Sequence, residues 1–229
     1  MQQSSLLNGF NFIYLVMAKK TKKYRKADWF KAYKDYVLQY GETAKDTKTL
    51  LDFTEQPFVQ FGELFDGLEE LEIHLIVDYF SKALKVLDKD KALKEMEVKD
   101  QHLAFLYLLI ELINKDHLFL RIFKKAKSGD TSFFMHLQKA LNQQELSWAK
   151  LKNWRPDFID ELNINPKRSL LINHAISCML FSIEDKSKDK QDTDAYIEKT
   201  TDLLFKLTDT STLHSFLDLG KFMYSRGKS

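Results

Sequence analysis

The chain has 229 residues, with 35 Lys and Arg against 33 Asp and Glu, for a formal charge of +2. So even a balance excludes a global field that would draw in nucleic acid or a membrane surface, and any electrostatic partner must be met by a local patch. Seven Gly, three Pro and one Cys favour long helices with short connections, hence an all-α fold, and exclude an intrachain disulfide framework.

In chain order, the first apolar run is LLNGFNFIYLVM, 6–17. No positive charge precedes it and a cationic run follows, the reverse of a secretory signal, and it is shorter than the ~20 residues a bilayer span needs. It is read as upstream sequence ahead of a start at Met17, against the alternative of a membrane-surface anchor. The cationic run is KKTKKYRK, 19–26, the one local patch. It is either a solvated tail or a flexible arm that tracks phosphates or enters a minor groove.

Next, ADWFKAYKDYVLQYG carries Trp29, Phe30, Tyr33, Tyr36, Val37 and Tyr40 at helical spacing and stops at Gly41, which predicts an amphipathic helix with a glycine cap. DTKTLLDFTE predicts a short second helix capped by Asp46 or Thr47. Pro57 opens a third, running to about Leu64. Asp66 caps a long fourth helix through residue 90, whose Glu69, Glu70 and Glu72 lie in the first turns, where the helix dipole favours negative charge.

From Lys99 the pattern changes. HLAFLYLLIELI is apolar on nearly every face, which predicts a helix in the middle of a bundle. HLFLRIFKKAK, TSFFMHLQKALNQQELSWAKL and RPDFIDEL predict further helices, broken near Gly129 and before Pro156. A helix from Pro166 to Phe181 follows, then a charged, solvated loop at 184–194, then two closing helices at 193–209 and 210–225.

Signatures of catalysis are missing from the sequence. No phosphate-cradling glycine loop, nucleophile elbow or zinc motif is present. The six histidines show no pair at helical ligand spacing, and Glu70 with His74, one turn apart, reads as a local contact. No catalytic residue, metal or cofactor is therefore assigned, and the chain is not expected to be an enzyme. Cys178, inside LLINHAISCMLF, reads as a core residue in a reducing compartment, which points to the cytoplasm.

A binding cavity is the more plausible chemistry. Phe105, Tyr107, Leu108, Phe119, Phe123, Phe134 and Trp148, with Glu111, His136 and His174 as isolated polar groups, have the composition of an apolar pocket with a few orienting contacts. The same composition also describes a solid core. Leu171, Ala175, Cys178 and Ser182, and in the next helix Ile197, Thr201, Leu204 and Thr208, form stripes against which another helix can lie close. The alternatives are a two-fold interface and packing within one subunit.

The order helix, short helix, turn, short helix, long helix resembles the TetR family of bacterial transcriptional regulators. WFKAYKDYVLQYG resembles that family's opening helix, TLLDFTEQP its second helix and turn, and FGELFDGLEELE the aromatic-rich end of its recognition helix running into helix four. The match covers roughly residues 24–80. It implies an N-terminal extension and basic arm over 1–23, a helix-turn-helix module over 24–72, and a helical ligand-binding and dimerisation domain over 73–229. The partners implied are double-stranded DNA, a small apolar ligand or lipid, and a second copy of the chain, with no membrane span. DNA contacts would fall on Lys19, Lys20, Lys22, Lys23, Arg25, Lys26, Thr47, Lys48 and Gln60. Three positions depart from the family pattern. Gly62 stands where a tyrosine is usual and Leu68 where a lysine is common, while Glu63 places a carboxylate on the DNA face. These favour the alternative, a TetR-fold protein that holds a lipid or other apolar molecule and has given up DNA.

Overall fold

The computed structural model of the chain describes residues 23–143 and 166–207. Among these, 82% are helical and none lies in a strand, so the all-α expectation holds. The predicted helices over 155–162 and 210–225 lie outside the described residues, as does the second half of the one over 131–151. The chain divides into two compact units, one ending at Leu71 and the other beginning at Glu72.

The first unit holds α1 (Lys26–Tyr40), α2 (Thr47–Thr54), α3 (Phe58–Gly62) and the first turn of α4 (Leu68–Lys89). α1 buries Trp29, Phe30, Tyr33, Tyr36 and Val37, a stripe at 3.6-residue spacing. Tyr40, at the end of that stripe, is exposed but packs against Tyr36 at 4.7 Å and the edge of Phe53 at 6.0 Å. The helix ends at Gly41, whose φ of 71° only glycine adopts without strain and whose N–H donates to the Val37 carbonyl. At the start of α2, Asp46 accepts from the Thr49 N–H and hydroxyl, both at 2.8 Å. These bonds hold its carboxyl below the usual carboxylate range.

α3 is shorter than the sequence predicts. Gly62 has poor helix propensity, and beyond it the N–H groups of Leu64 and Phe65 both turn back onto the Phe61 carbonyl. This tight closure puts Phe65 against Phe61 at 5.3 Å and Phe30 at 6.1 Å. Trp29 lies edge-on to Phe61 at 5.2 Å and to Tyr24 at 4.9 Å. The unit is thus organised around a run of aromatic rings, each worth about 1.5–3 kcal/mol when fully buried.

The second unit holds the rest of α4, then α5 (Lys91–Glu95), α6 (Val98–Lys115), α7 (His117–Ala126), α8 (Thr131–Asn142), α9 (Pro166–Glu184), a 3-10 turn (Lys188–Lys190) and α10 (Gln191–Leu207). α6 packs against both α9 and α10, and α9 also meets α7 and α8, so the helix predicted to be central is central. The tyrosine hydroxyl of Tyr79 donates to Asp116, tying α4 to the start of α7.

The charged segment 184–194 is not the solvated loop that its composition suggests. Lys190 folds back and donates its ammonium to the carbonyls of Ser182 at 3.0 Å and Asp185 at 2.7 Å, capping the carbonyls that α9 leaves open at its C-terminal end. Asp185 in turn accepts from the Thr193 N–H at 2.9 Å, which starts α10 within two residues of the turn.

Candidate functional site

In the first unit, a short turn joins α2 to α3, and both helices lie against α1. Thr47 opens α2 half-buried, and Lys48 beside it is exposed. The outward face of α3 is apolar: Phe58 is 61% and Val59 69% exposed. The Phe58 ring lies over Gly62, 3.4 Å from where a β-carbon would stand. Gln60 is turned toward its own chain, its Oε1 accepting the Tyr24 N–H at 3.0 Å. Among the expected cations, Lys23 pairs with Glu63 at 3.1 Å, Arg25 with Asp28 at 3.2 Å, and Lys26 sits 5.5 Å over the Phe65 ring. Lys19, Lys20 and Lys22 lie outside the described residues.

The second unit contains a narrow apolar cavity of about 20 Å3, lined by Ile76, Leu120, Phe123, Phe133, Phe134, Leu137 and Met179 among others. That is room for about one water molecule. Of the residues expected to line a ligand pocket, Phe123 and Phe134 do so, and Phe119 stacks behind Phe123 at 5.7 Å. The remaining ones are dispersed. Phe105 is buried between Phe80 and His102, Tyr107 reaches outward toward Glu198 at 3.4 Å, and Glu111 pairs with Lys115 on the surface. Leu108 is half-buried, His136 is exposed, and Trp148 lies outside the described residues.

Lys127 also lines this cavity, and no local pattern around it pointed to its partner. Its ammonium stands 5.0 Å over the Phe133 ring, 5.9 Å over Phe123, and 2.7 Å from the carboxylate of Glu72. The two side chains are 19% and 2% exposed. The carboxylate run at the head of α4 therefore has two causes. Glu70 reaches back to the Asp66 N–H, as the helix start requires, whereas Glu72 holds α4 to the C-terminal end of α7.

His174 does not face the cavity but takes part in an interior hydrogen-bond chain. Its Nδ1 lies 3.0 Å from His102 Nε2, and its own Nε2 lies 2.8 Å from the Thr200 hydroxyl, which donates to the Tyr196 carbonyl at 2.6 Å. Thr200 has one proton to give, so it accepts from His174 Nε2–H. His174 Nδ1 is then the acceptor for His102 Nε2–H. This directed chain joins α6, α9 and α10 through neutral imidazoles. Burial pushes His102 down to about 3, helped by His174, and pushes His174 down to about 4. Burial also raises the neighbouring Cys178 thiol to about 12, which leaves it a packing residue.

Unfolded histidines take up protons near 6.5, while the folded pair stays neutral down to about 4. Stability from this pair is present above pH 6.5 and is lost as pH falls toward 4. Denaturation midpoints measured across that window should decline less steeply in His102→Phe than in the parent, by up to about 1.4 kcal/mol per pH unit. Equal slopes would show that the chain titrates freely.

The two stripes expected at a two-fold interface are packed within the unit. Leu171, Ala175, Cys178, Ser182, Ile197 and Thr201 are all buried, Leu204 is half-buried, and Thr208 lies outside the described residues. Small residues at these positions let α9 approach α6 and α10. The outward faces of α9 and α10 instead expose Leu170, Phe181, Leu203 and Leu207, with Phe181 stacked on Tyr196 at 4.3 Å and 6°.

Among the described residues no cluster of three or more His, Cys, Asp or Glu side chains could hold a metal ion, and no helix is long and apolar enough to cross a membrane. The family described as tetracyclin repressor-like, C-terminal domain, matches residues 101–223. That is more than half of the chain, which therefore belongs to the TetR-like family of regulators. No curated protein and no solved structure gives a significant match.

Proposed function

We propose that the chain is a dimeric, non-enzymatic, cytoplasmic transcriptional regulator that binds double-stranded DNA through residues 24–72 and a small apolar ligand within residues 73–229. What supports the reading is the arrangement of α2 and α3 on α1, as expected of a helix-turn-helix, in a chain whose residues 101–223 match the repressor-like C-terminal domain. The basic arm within residues 1–23, continued by Arg25 and Lys26, would supply phosphate contacts together with Thr47 and Lys48. Phe58 and Val59 would offer apolar contact to thymine methyl groups.

The ligand would enter by widening the cavity around Phe123 and Phe134, since the closed volume holds little more than a water. Pairing would use the outward faces of α9 and α10, with Leu171, Ala175, Cys178, Ser182, Ile197 and Thr201 as the inner layer that keeps those helices together. Selection of genomic fragments with the purified chain at two salt concentrations tests the reading. Enrichment of one sequence supports it, and no enrichment at low salt removes it.

A specific observation favours a second reading. Gln60 and Glu63, two of the polar groups of the α3 segment, are engaged by the chain's own Tyr24 and Lys23, which leaves an apolar outer face. A TetR-fold protein that carries a lipid or other apolar molecule without DNA fits that face. An apolar small molecule retained through native mass spectrometry, together with failed fragment selection, would favour it.

A further inference from the structure

We propose that a polar cleft between the first turns of α7 and the end of α9 binds a small molecule carrying a phosphate or carboxylate group. This goes beyond the DNA-binding and apolar-ligand reading and does not depend on it. The cleft measures about 230 Å3, more than ten times the apolar cavity, and is lined by His117, Arg121, Ile183, Glu184, Asp185 and Lys186. His117 and Arg121 stand one helical turn apart and so share a face of α7. The His117 ring is held at the end of α9, its Nε2 lying 3.0 Å from the Ile183 carbonyl. Arg121 and Lys186 are exposed and make no direct ion pair among the described residues.

Both carboxylates of the cleft are already engaged. Glu184 pairs with Lys124 at 3.1 Å, and that ammonium holds its carboxyl below the usual carboxylate range, with Arg121 and Lys186 lowering it further. Asp185 turns back to accept the N–H groups of Ser187 at 2.7 Å and Thr193 at 2.9 Å. The carbonyls at the C-terminal end of α9 would otherwise repel an anion. They are covered by the Lys190 ammonium, which donates to those of Ser182 and Asp185. Arg121, Lys124, Lys186 and Lys190 stand against Glu184 and Asp185, four cations against two carboxylates, so the cleft carries an excess of positive charge. The guanidinium of Arg121 offers a planar fork that matches the paired oxygens of a carboxylate or phosphate, and Lys186 adds a point charge on a flexible stem. An anion held by both would tie α7 to the segment that follows α9.

The test uses the full chain in chloride buffer at fixed ionic strength, titrated calorimetrically with inorganic phosphate and separately with succinate. A saturable event with Kd below about 1 mM is expected for at least one of the two, and the tighter one names the preferred head group. Amide exchange at 117–121 and 183–186 should slow when that anion is added. Arg121→Gln and Lys186→Gln are each expected to weaken binding about tenfold or more, since each removes a hydrogen bond between charged groups. Arg121→Lys keeps the charge without the fork and should fall between Arg121→Gln and the parent. Lys139→Gln removes the same charge from an exposed position on α8 and should bind like the parent. Arg121 and Lys186 are exposed, so all four variants should unfold in chloride at the parent's temperature. The proposal is overturned if neither anion gives a saturable event, if chloride competes as well as either anion, or if Arg121→Gln and Lys139→Gln lose equally.

Discussion

Glu72→Ala is expected to destabilise the second unit by about 3–5 kcal/mol, the usual consequence of removing one member of a buried ion pair. Glu72 is 2% exposed and Lys127 19%, with 2.7 Å between them. Truncating the carboxylate leaves an ammonium largely out of water, with the Phe123 and Phe133 ring faces as its remaining company. Those rings compensate only in part, since a cation over an aromatic face contributes roughly 0.5–2 kcal/mol. Removing both charges together should be far milder. A Glu72→Leu, Lys127→Met double variant is expected to recover most of the loss, because the large desolvation penalty of each ion disappears along with their attraction. The measurement is amide exchange resolved to α4 and α7, combined with urea unfolding of the two single variants and the double. If the single variants lie within about 1 kcal/mol of the parent, the pair behaves as a surface contact and the account of Glu72 is wrong.

Trp29→Ala should abolish the fold of the first unit. The indole is fully buried between Tyr24 and Phe61, and a tryptophan-to-alanine cavity costs about 3–5 kcal/mol. A unit of this size has little stability in reserve, because small folds bury a smaller share of their surface. Limited proteolysis should then cut within 24–71, and amide protection there should vanish. Tyr40→Ala provides the contrast. It sits on the same predicted stripe but is exposed, and its replacement should change stability by well under 1 kcal/mol beyond the loss of its ring contacts. Equal resistance of Trp29→Ala and parent to protease would mean that the aromatic run is not what holds the unit together.

Much of the helical layout was legible from residues close together in the chain. The stripe Trp29, Phe30, Tyr33, Tyr36 and Val37 announces both the helix and its buried face, and Gly41 and Asp46 mark the ends on either side of the turn. The apolar character of 102–113 placed α6 at the bundle centre without reference to any other segment. Misreadings arose where a pattern shared by two environments had to be assigned to one. The small-residue stripes on α9 and α10 read equally well as a subunit interface or an interior contact, and the described chain packs them inside. The charged run at 184–194 looks solvated until Lys190 is seen to bond the carbonyls at the end of α9.

The candidate site was far less legible. Gln60 looked like a DNA contact on α3, His174 like a ligand-orienting group, and Glu72 like a dipole residue. Each meets a partner between 36 and 72 residues away. The amino-acid sequence by itself determined the all-α class, the helix starts and stops and the buried face of α1, since propensity, capping and periodicity act within one or two turns. Only the tertiary structure decided which polar side chains are engaged internally. Burial strips water from a group such as His102 or Glu72, and whichever partner packing brings within hydrogen-bond reach then determines what that group can still do.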